Sequence, residues 1–360
     1  KIINDPIYGF INIESQLITD IINHPYFQRL REIKQLGLSY LVYPGAKHTR
    51  FQHAIGSMYL MQIAINQLRK KNNIITDEES EALKIAILLH DIGHSPFSHA
   101  LENSLVKNIS HESLSSLFMY KLNEVFNNKL SLAIKIFNNN YHKKFLHQLV
   151  SSQIDMDRLD YLKRDSFFSG VKEGNINTDR IIKMINVVND QLVVEEKGIY
   201  SIENFLIARR LMYWQVYLHK TVLSAEFLLA KIIDRAREII LSGEKLFTTP
   251  HVFLFLSNKI SVNELKNDDC LTAFSSLDDN DIMTCVKVWS SSKDKVLKKL
   301  SSMLVNRRLL KVKISDAPFS ENEISSLKDK HQKALKVDSH EVNYFVFQEY
   351  MINNAYDPRK

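Results

Sequence analysis

Three histidines and an aspartate fall within ten residues, His90-Asp91-Ile92-Gly93-His94-Ser95-Pro96-Phe97-Ser98-His99. They follow a segment whose residues Ala82, Leu83, Ile85, Ala86, Ile87, Leu88 and Leu89 are apolar on every helical face, so the helix they leave is central and buried. Buried polar groups need partners, and a metal ion or a substrate would supply them here. His90 and His94 stand at i and i+4, one face of a helix, with Asp91 one step around; His90 and Asp91 are placed to share an ion while His94 faces the adjoining pocket. Upstream, His53 closes the string His48-Thr49-Arg50-Phe51-Gln52-His53 at the start of a helix that would pack against this one.

Two further rows carry chemistry. Asp157, Tyr161, Arg164 and Asp165 fall at i, i+4, i+7 and i+8. Alone, this stripe reads equally well as a solvated, salt-bridged face; beside a His-Asp pair on another helix it supplies the missing carboxylate ligand. Arg209, Tyr213 and Tyr217 form a third row at i, i+4 and i+8, followed by His219 and Lys220. Arginine and tyrosine suit phosphate pairing and stacking on a base or sugar, although ordinary packing explains the row if it stands alone. A lone histidine is more often a core residue than a ligand, and His48, His142, His147 and His251 are given no function on that ground.

These residues need elements to position them. Asn4-Asp5-Pro6-Ile7-Tyr8-Gly9 followed by alternating Phe10 to Glu14 predicts a hairpin. Thr19-Asp20 predicts a cap for a helix from Ile21 to Leu36 stopped by Gly37, and residues 51 to 70 repeat the helical period. Thr76 with Glu79 forms a capping box for a helix from about 77 to 94, closed by Gly93 and Pro96. Helical patterns continue to about 165 and again from about 202 to 241, where Ser242-Gly243 breaks them. Beyond, Leu309 to Ile314 and Val342 to Phe347 read as strands. The expected architecture is mainly α: a helical core over 1–242 with a short N-terminal hairpin, and a smaller α+β region over 243–360.

Composition agrees. Glycine and proline total 16 of 360 residues, far below the roughly 12% of average usage, which disfavours turn-rich β folds and low-complexity disorder. Lysine and arginine exceed aspartate and glutamate by 47 − 41 = 6, a mild preference for polyanions that allows weak nucleic-acid binding. The two cysteines lie outside any C-x-x-C spacing, which points to a reducing, cytoplasmic setting. No apolar run approaches the roughly 20 residues of a membrane helix, so no membrane partner is expected.

The pattern His53, His90-Asp91, Asp157 resembles that of the HD-domain metal-dependent phosphohydrolases. The longer strings Gln28-Arg29-Leu30-Arg31, Lys34-Gln35-Leu36-Gly37, Arg50 to Gly56 and Asp155 to Asp165 are similar to its dNTP triphosphohydrolase branch. The likeness covers roughly residues 1 to 240. It implies that His53, His90, Asp91 and Asp157 hold one divalent metal. Two imidazoles with two carboxylates suit Mn, Fe, Zn, Co or Ni, while Mg is able to arrive with the nucleotide. It implies attack at the α-phosphate of a dNTP, releasing deoxynucleoside and inorganic triphosphate, with His99 as general acid, His111 and Glu102 orienting it, and His94 on phosphate. Arg50, Arg158 and Arg209 match phosphate-binding positions, Arg158 in place of a family lysine. Gln35, Tyr161 and Asp165 match residues around the sugar, and Tyr217 and Leu36 close on its 2′ carbon. Asn4, Gln28, Arg31, Arg180 and Lys197 resemble an activator-nucleotide site between subunits of a homotetramer, but Glu195 stands where a partner arginine is expected and would repel phosphate. Two other readings compete: an HD phosphohydrolase acting on nucleoside monophosphates or cyclic nucleotides, and a nucleic-acid-binding regulatory protein whose HD site is vestigial.

Overall fold

The structure, a computed structural model, describes residues 1–97, 100–106 and 109–350. The chain opens with an antiparallel hairpin, β1 (Ile2–Asp5) and β2 (Gly9–Asn12), in the register Asp5 to Gly9. The Asp5 carboxylate turns it by accepting the N–H groups of Ile7 and Tyr8 at 2.9 and 3.1 Å. Helix α1 (Gln16–Asn23) follows, capped by Ser15 and not by Thr19-Asp20. The expected run to Leu36 breaks because Pro25 cannot continue a helix; it starts a new short turn, Pro25–Gln28, and a 3-10 turn, Arg29–Glu32, before the chain reaches Gln35.

Helices α2 (Arg50–Lys70) and α3 (Asp77–Leu89) pack together at the centre. Each starts on a capping box, Thr49 with Gln52 and Thr76 with Glu79. Around them lie α4 (His111–Val125), α5 (Ser131–Phe137), α6 (Lys144–Val150), α7 (Met156–Ser169) and α8 (Thr178–Met184). A second hairpin, β3 (Ile185–Val188) with β4 (Gln191–Val194), leads to α9 (Ile199–Met212). The helix expected over 202–241 is in fact two: α9 passes into a π-helical turn, Tyr213–Tyr217, and α10 (Lys220–Leu241) restarts on a His219 side-chain cap.

Next come α11 (Pro250–Ser257), α12 (Asp268–Ser275), α13 (Asp279–Trp289), α14 (Lys295–Val305) and α15 (Glu321–Leu335). The class is mainly α, with two small two-stranded sheets among the described residues. The two strand expectations in the last third fail. Residues 309–314 are irregular chain that lies on α10, where Ser224 Oγ donates to the Leu310 carbonyl at 2.6 Å. Residues 342–347 begin in a 3-10 turn, Glu341–Tyr344, nucleated by Asp338, whose carboxylate accepts the N–H groups of His340 and Glu341. Among the described residues no strand pairs with either segment, so neither has a ladder. No helix among the described residues is long and apolar enough to cross a membrane.

Candidate metal centre and its surroundings

The tightest knot of polar groups sits where the first turn of α2, the end of α3 and the first turn of α7 meet. α3 stops at Leu89, so His90 is its C-terminal cap and Asp91 to Gly93 form a turn, with the His94 N–H on the Asp91 carbonyl at 3.2 Å. His90 and His94 are therefore not two rungs of one helix, as i, i+4 spacing suggested. They meet Asp91 from two sides instead: Asp91 Oδ1 is 3.3 Å from both Nε2 atoms.

His53, His90, Asp91 and Asp157 do converge. His53 Nε2 lies 3.1 Å from Asp157 Oδ1 and 3.4 Å from His90 Nε2, His90 Nε2 lies 3.4 Å from Asp157 Oδ1, and His53 Nε2 lies 3.8 Å from Asp91 Oδ2. Ligands about 2.0–2.2 Å from a four-coordinate ion are separated by about 3.3–3.6 Å; His53, His90 and Asp91, whose ligand atoms lie within 4.8 Å of one another, are able to hold a metal ion, and Asp157 lies against both imidazoles beside them. The tautomers fit as well. His53 donates from Nδ1 to Asp160 Oδ2 at 2.8 Å, and His90 from Nδ1 to the Ile87 carbonyl at 2.6 Å, leaving both Nε2 lone pairs aimed inward. Burial disfavours charge on His53, yet hydrogen bonds to Asp157 and Asp160 outweigh it and push its pKa up to about 10. Asp157 is likewise held well below the usual carboxylate range, against burial, by His90 and His53. The cluster thus pulls positive charge toward itself, and a divalent cation answers that pull by displacing the imidazole proton.

Sequence reasoning missed Asp160, the residue that fixes His53. It is fully buried and grips Arg164 through both oxygens at 2.8 and 3.0 Å; Arg164 in turn reaches Asp5 of the hairpin at 2.8 Å. Arg164, expected on a polar stripe, is therefore core. The α2–α7 crossing that permits this requires Gly56, because a Cβ there would overlap Asp160 Oδ1 and Arg164 Nη2. The signal was present as a second aspartate three residues after Asp157, inside Asp157-Arg158-Leu159-Asp160.

Arg50, nearly fully buried, pairs with Asp91. His94 stacks on His111 with centroids 4.1 Å apart, and burial with the Arg50 charge drives the His94 pKa well down, so it stays neutral. Asp91, His94 and His111 offer a second group of close ligand atoms beside the first. His99 lies outside the described residues, and of Glu102 only its place in the short helix Glu102–Leu105 is described.

Two turns along α7 from Asp157, Asp165 is 1% exposed and held on both oxygens. His48 Nε2 donates to Oδ1 at 2.7 Å and the Tyr217 hydroxyl to Oδ2 at 2.7 Å. His48, given no function from sequence, is thus part of this group, stacked on Phe168 at 4.6 Å; its backbone carbonyl also accepts the Gln35 N–H at 3.0 Å. Tyr161, Tyr213 and Tyr217 gather edge to face, at 6.1 and 5.2 Å from Tyr217, and Leu36 packs on the core nearby in sequence to Gln35. Arg158 pairs with Asp155, and Arg209 donates to Gln153 Oε1 at 3.1 Å. Four buried side-chain atoms here have no hydrogen-bond partner: Gln35 Oε1, His48 Nδ1, Arg158 Nε and Arg209 Nε.

The residues assigned to an activator fall into two exposed pairs on separate elements. Arg31 donates to Gln28 Oε1 at 2.9 Å, and Arg180 donates to the Lys197 carbonyl at 3.1 Å; Asn4 is on β1. Glu195 is neutralised by Lys71, whose ammonium lies 2.6 Å from it.

Residues 50–165 match the HD domain family and residues 176–248 the HD associated region. The chain is 33% identical over 318 residues to the uncharacterized protein YwfO of Bacillus subtilis, covering 86% of this chain and 71% of that one. It is 30% identical over 279 residues to the Dictyostelium discoideum homologue of deoxynucleoside triphosphate triphosphohydrolase SAMHD1, covering 72% of this chain and 54% of that one. In structure it is similar to the crystal structure of a phosphohydrolase from Bacteroides thetaiotaomicron, with a TM-score of 0.96 and 55% identity over 99% of this chain and 89% of that one. With the ligand cluster at the junction of α2, α3 and α7, these likenesses make the chain a member of the HD-domain phosphohydrolases.

Proposed function

We propose that this phosphohydrolase converts deoxynucleoside triphosphates to deoxynucleoside and inorganic triphosphate. The observation that carries the reading is the set of orphaned buried atoms on Gln35, whose backbone N–H is on the His48 carbonyl, on Arg158, which follows the ligand Asp157 in the chain, and on Arg209. A buried polar atom without a partner costs about 1–3 kcal/mol, which a bound phosphate or sugar would relieve. Asp157, Tyr161 and Asp165 follow at four-residue spacing on α7, so the metal end and the sugar end lie about 12 Å of rise apart on one rigid element.

His53, His90, Asp91 and Asp157 would hold a divalent ion, which would supply Lewis-acid chemistry and activate water when bound. The chain's own residues do the rest. Arg50, Arg158, Arg209 and neutral His94 bind phosphate oxygens. Asp165, oriented by His48 and Tyr217, accepts the 3′ hydroxyl beside Gln35 and Tyr161. His99 protonates the departing 5′ oxygen, with His111 and Glu102 orienting it. Tyr217 and Leu36 close on C2′; because the Tyr217 hydroxyl is engaged by Asp165, a ribose 2′ hydroxyl meets a ring face and no acceptor. Residues 1–242 carry this machinery, in a cytoplasmic homotetramer. An activator nucleotide would sit between subunits on Asn4, Gln28, Arg31, Arg180 and Lys197, and the Lys71–Glu195 pair removes the repulsion that Glu195 would otherwise exert.

The test is to incubate purified protein with each dNTP and NTP in Mn, Fe, Co, Ni, Zn and Mg, and separate the products by chromatography. Inorganic triphosphate and deoxynucleoside from dNTPs support the reading. Pyrophosphate with monophosphate, or turnover of monophosphates or cyclic nucleotides only, replaces it.

A further inference from the structure

Asp279, the first residue of α13, is 1% exposed and reaches into the wall of the site from the far third of the chain. Its Oδ1 accepts the backbone N–H of Phe97 at 2.9 Å, while Oδ2 accepts the backbone N–H of Lys34 at 3.0 Å and its ammonium at 3.2 Å. Lys34 immediately precedes Gln35 and Leu36, and Phe97 stands two residues before His99. The segments so joined are in contact, since a Cβ on Gly37 would lie 3.6 Å from the Phe97 carbonyl oxygen. Phe97 is held at φ +52°, a region a bulky residue rarely enters, and its buried N–H needs an acceptor to remain there. The helix dipole of α13 favours a charged carboxylate in its first turn. The same turn is braced through Arg29, whose guanidinium donates to the carbonyls of Ile92 and His94 at 3.0 Å each and of Leu277 at 3.4 Å.

We propose that Asp279 is a positioning residue that fixes the sugar-contact segment and the segment leading to the general acid relative to one another. The proposal rests on the roles given above to Gln35, Leu36 and His99. Asp279 holds nothing at the metal end, so its loss misplaces leaving-group protonation and the sugar while leaving the cation bound. A misplacement of about 1 Å is enough to lower turnover by up to about a hundredfold.

The experiment compares Asp279→Asn and Asp279→Glu with Asp278→Ala, which removes the side-chain cap of the same helix without touching the site segments. Asp279→Asn should lower dNTP kcat about 10- to 100-fold at unchanged metal content, and should speed amide exchange at Phe97 and Lys34. Asp278→Ala should lower the melting temperature yet keep kcat within about twofold. On bis(4-nitrophenyl) phosphate, which has no sugar and whose leaving group needs no proton, Asp279→Asn should match wild type. Equal dNTP kcat in Asp279→Asn and wild type, or parallel losses on both substrates, overturns the proposal. Should Asp279→Asn not fold, Asp279→Glu shifts the carboxylate by one methylene and is judged by the same ratio of rates. Failure of wild type to hydrolyse dNTPs would instead defeat the functional reading, and exchange at Phe97 and Lys34 would then decide for Asp279 alone.

Discussion

At the metal end of the site, His53, His90 and Asp91 bring ligand atoms within 4.8 Å of one another, and Asp157 stands 3.1 and 3.4 Å from the two imidazoles, whose Nε2 atoms face one another. Such an arrangement is unfavourable until positive charge enters it, and the raised pKa of His53 is the sign of that demand. At the sugar end, Asp165 is as deeply buried, but its two oxygens already have donors in His48 and Tyr217. One end gathers nitrogen and carboxylate ligands that favour a cation, and the other holds a carboxylate whose oxygens are already hydrogen-bonded. The contrast teaches how, on the proposed reading, one helix, α7, serves two tasks: Asp157 in its first turn helps hold a cation, and Asp165 in its third turn is held in fixed orientation by His48 and Tyr217.

The largest expected effect breaks the metal end alone. Asp157→Ala removes a proposed ligand and one of the two carboxylates that draw charge onto His53; bound metal should fall below one tenth of wild type and turnover by about 10⁴-fold or more, measured by elemental analysis and steady-state kinetics. Full occupancy in that variant would mean the fourth ligand is another residue. His99→Ala should keep the metal and bind substrate normally while losing about 10²–10⁴-fold in kcat, as expected for removal of a general acid. The sugar end is sharpened by Tyr217. Tyr217→Phe removes a donor from Asp165 but keeps the ring, so KM for dATP should rise about tenfold with ATP still refused; Tyr217→Ala should in addition admit ATP. Equal kcat/KM for dATP and ATP in wild type would dismiss the gate.

The smallest effect concerns a carboxyl beside Gly37. Glu226 on α10 lies near Gly37, and burial raises its carboxyl to about 7. An acid whose folded pKa is raised binds more protons folded than unfolded, so its charge destabilises the fold as pH rises from about 4.5 through 7. Glu226→Gln should therefore leave the melting temperature unchanged near pH 4.5 and raise it by about 2–5 °C at pH 8, by scanning calorimetry. The same shift at both pH values would assign the gain to packing.

Much of this is legible in the sequence. The capping box at Thr76 and Glu79 and the all-round apolar run to Leu89 fix α3 because local hydrogen bonding and burial agree there. His53, His90, Asp91 and Asp157 sit in strings specific enough to identify the family. What was not legible depends on contacts distant in the chain. His48 looks like any core histidine until Asp165, 117 residues on, is brought to it, and Asp160 becomes the partner of His53 only where α2 crosses α7 at Gly56. Pro25 was a local signal that outweighs the apolar period around it, and the period alone overran it. In the last third, Leu309 to Ile314 alternate as a strand would, but alternation specifies a face to bury and not a ladder, and helix α10 provides the face.

The central claim is attack at the α-phosphorus with departure of the 5′ oxygen. Its most direct test is hydrolysis of a dNTP in ¹⁸O-water, with mass spectrometry of both products. The account predicts one ¹⁸O in the inorganic triphosphate and none in the deoxynucleoside; label in the deoxynucleoside, in orthophosphate or in a nucleotide monophosphate would contradict it.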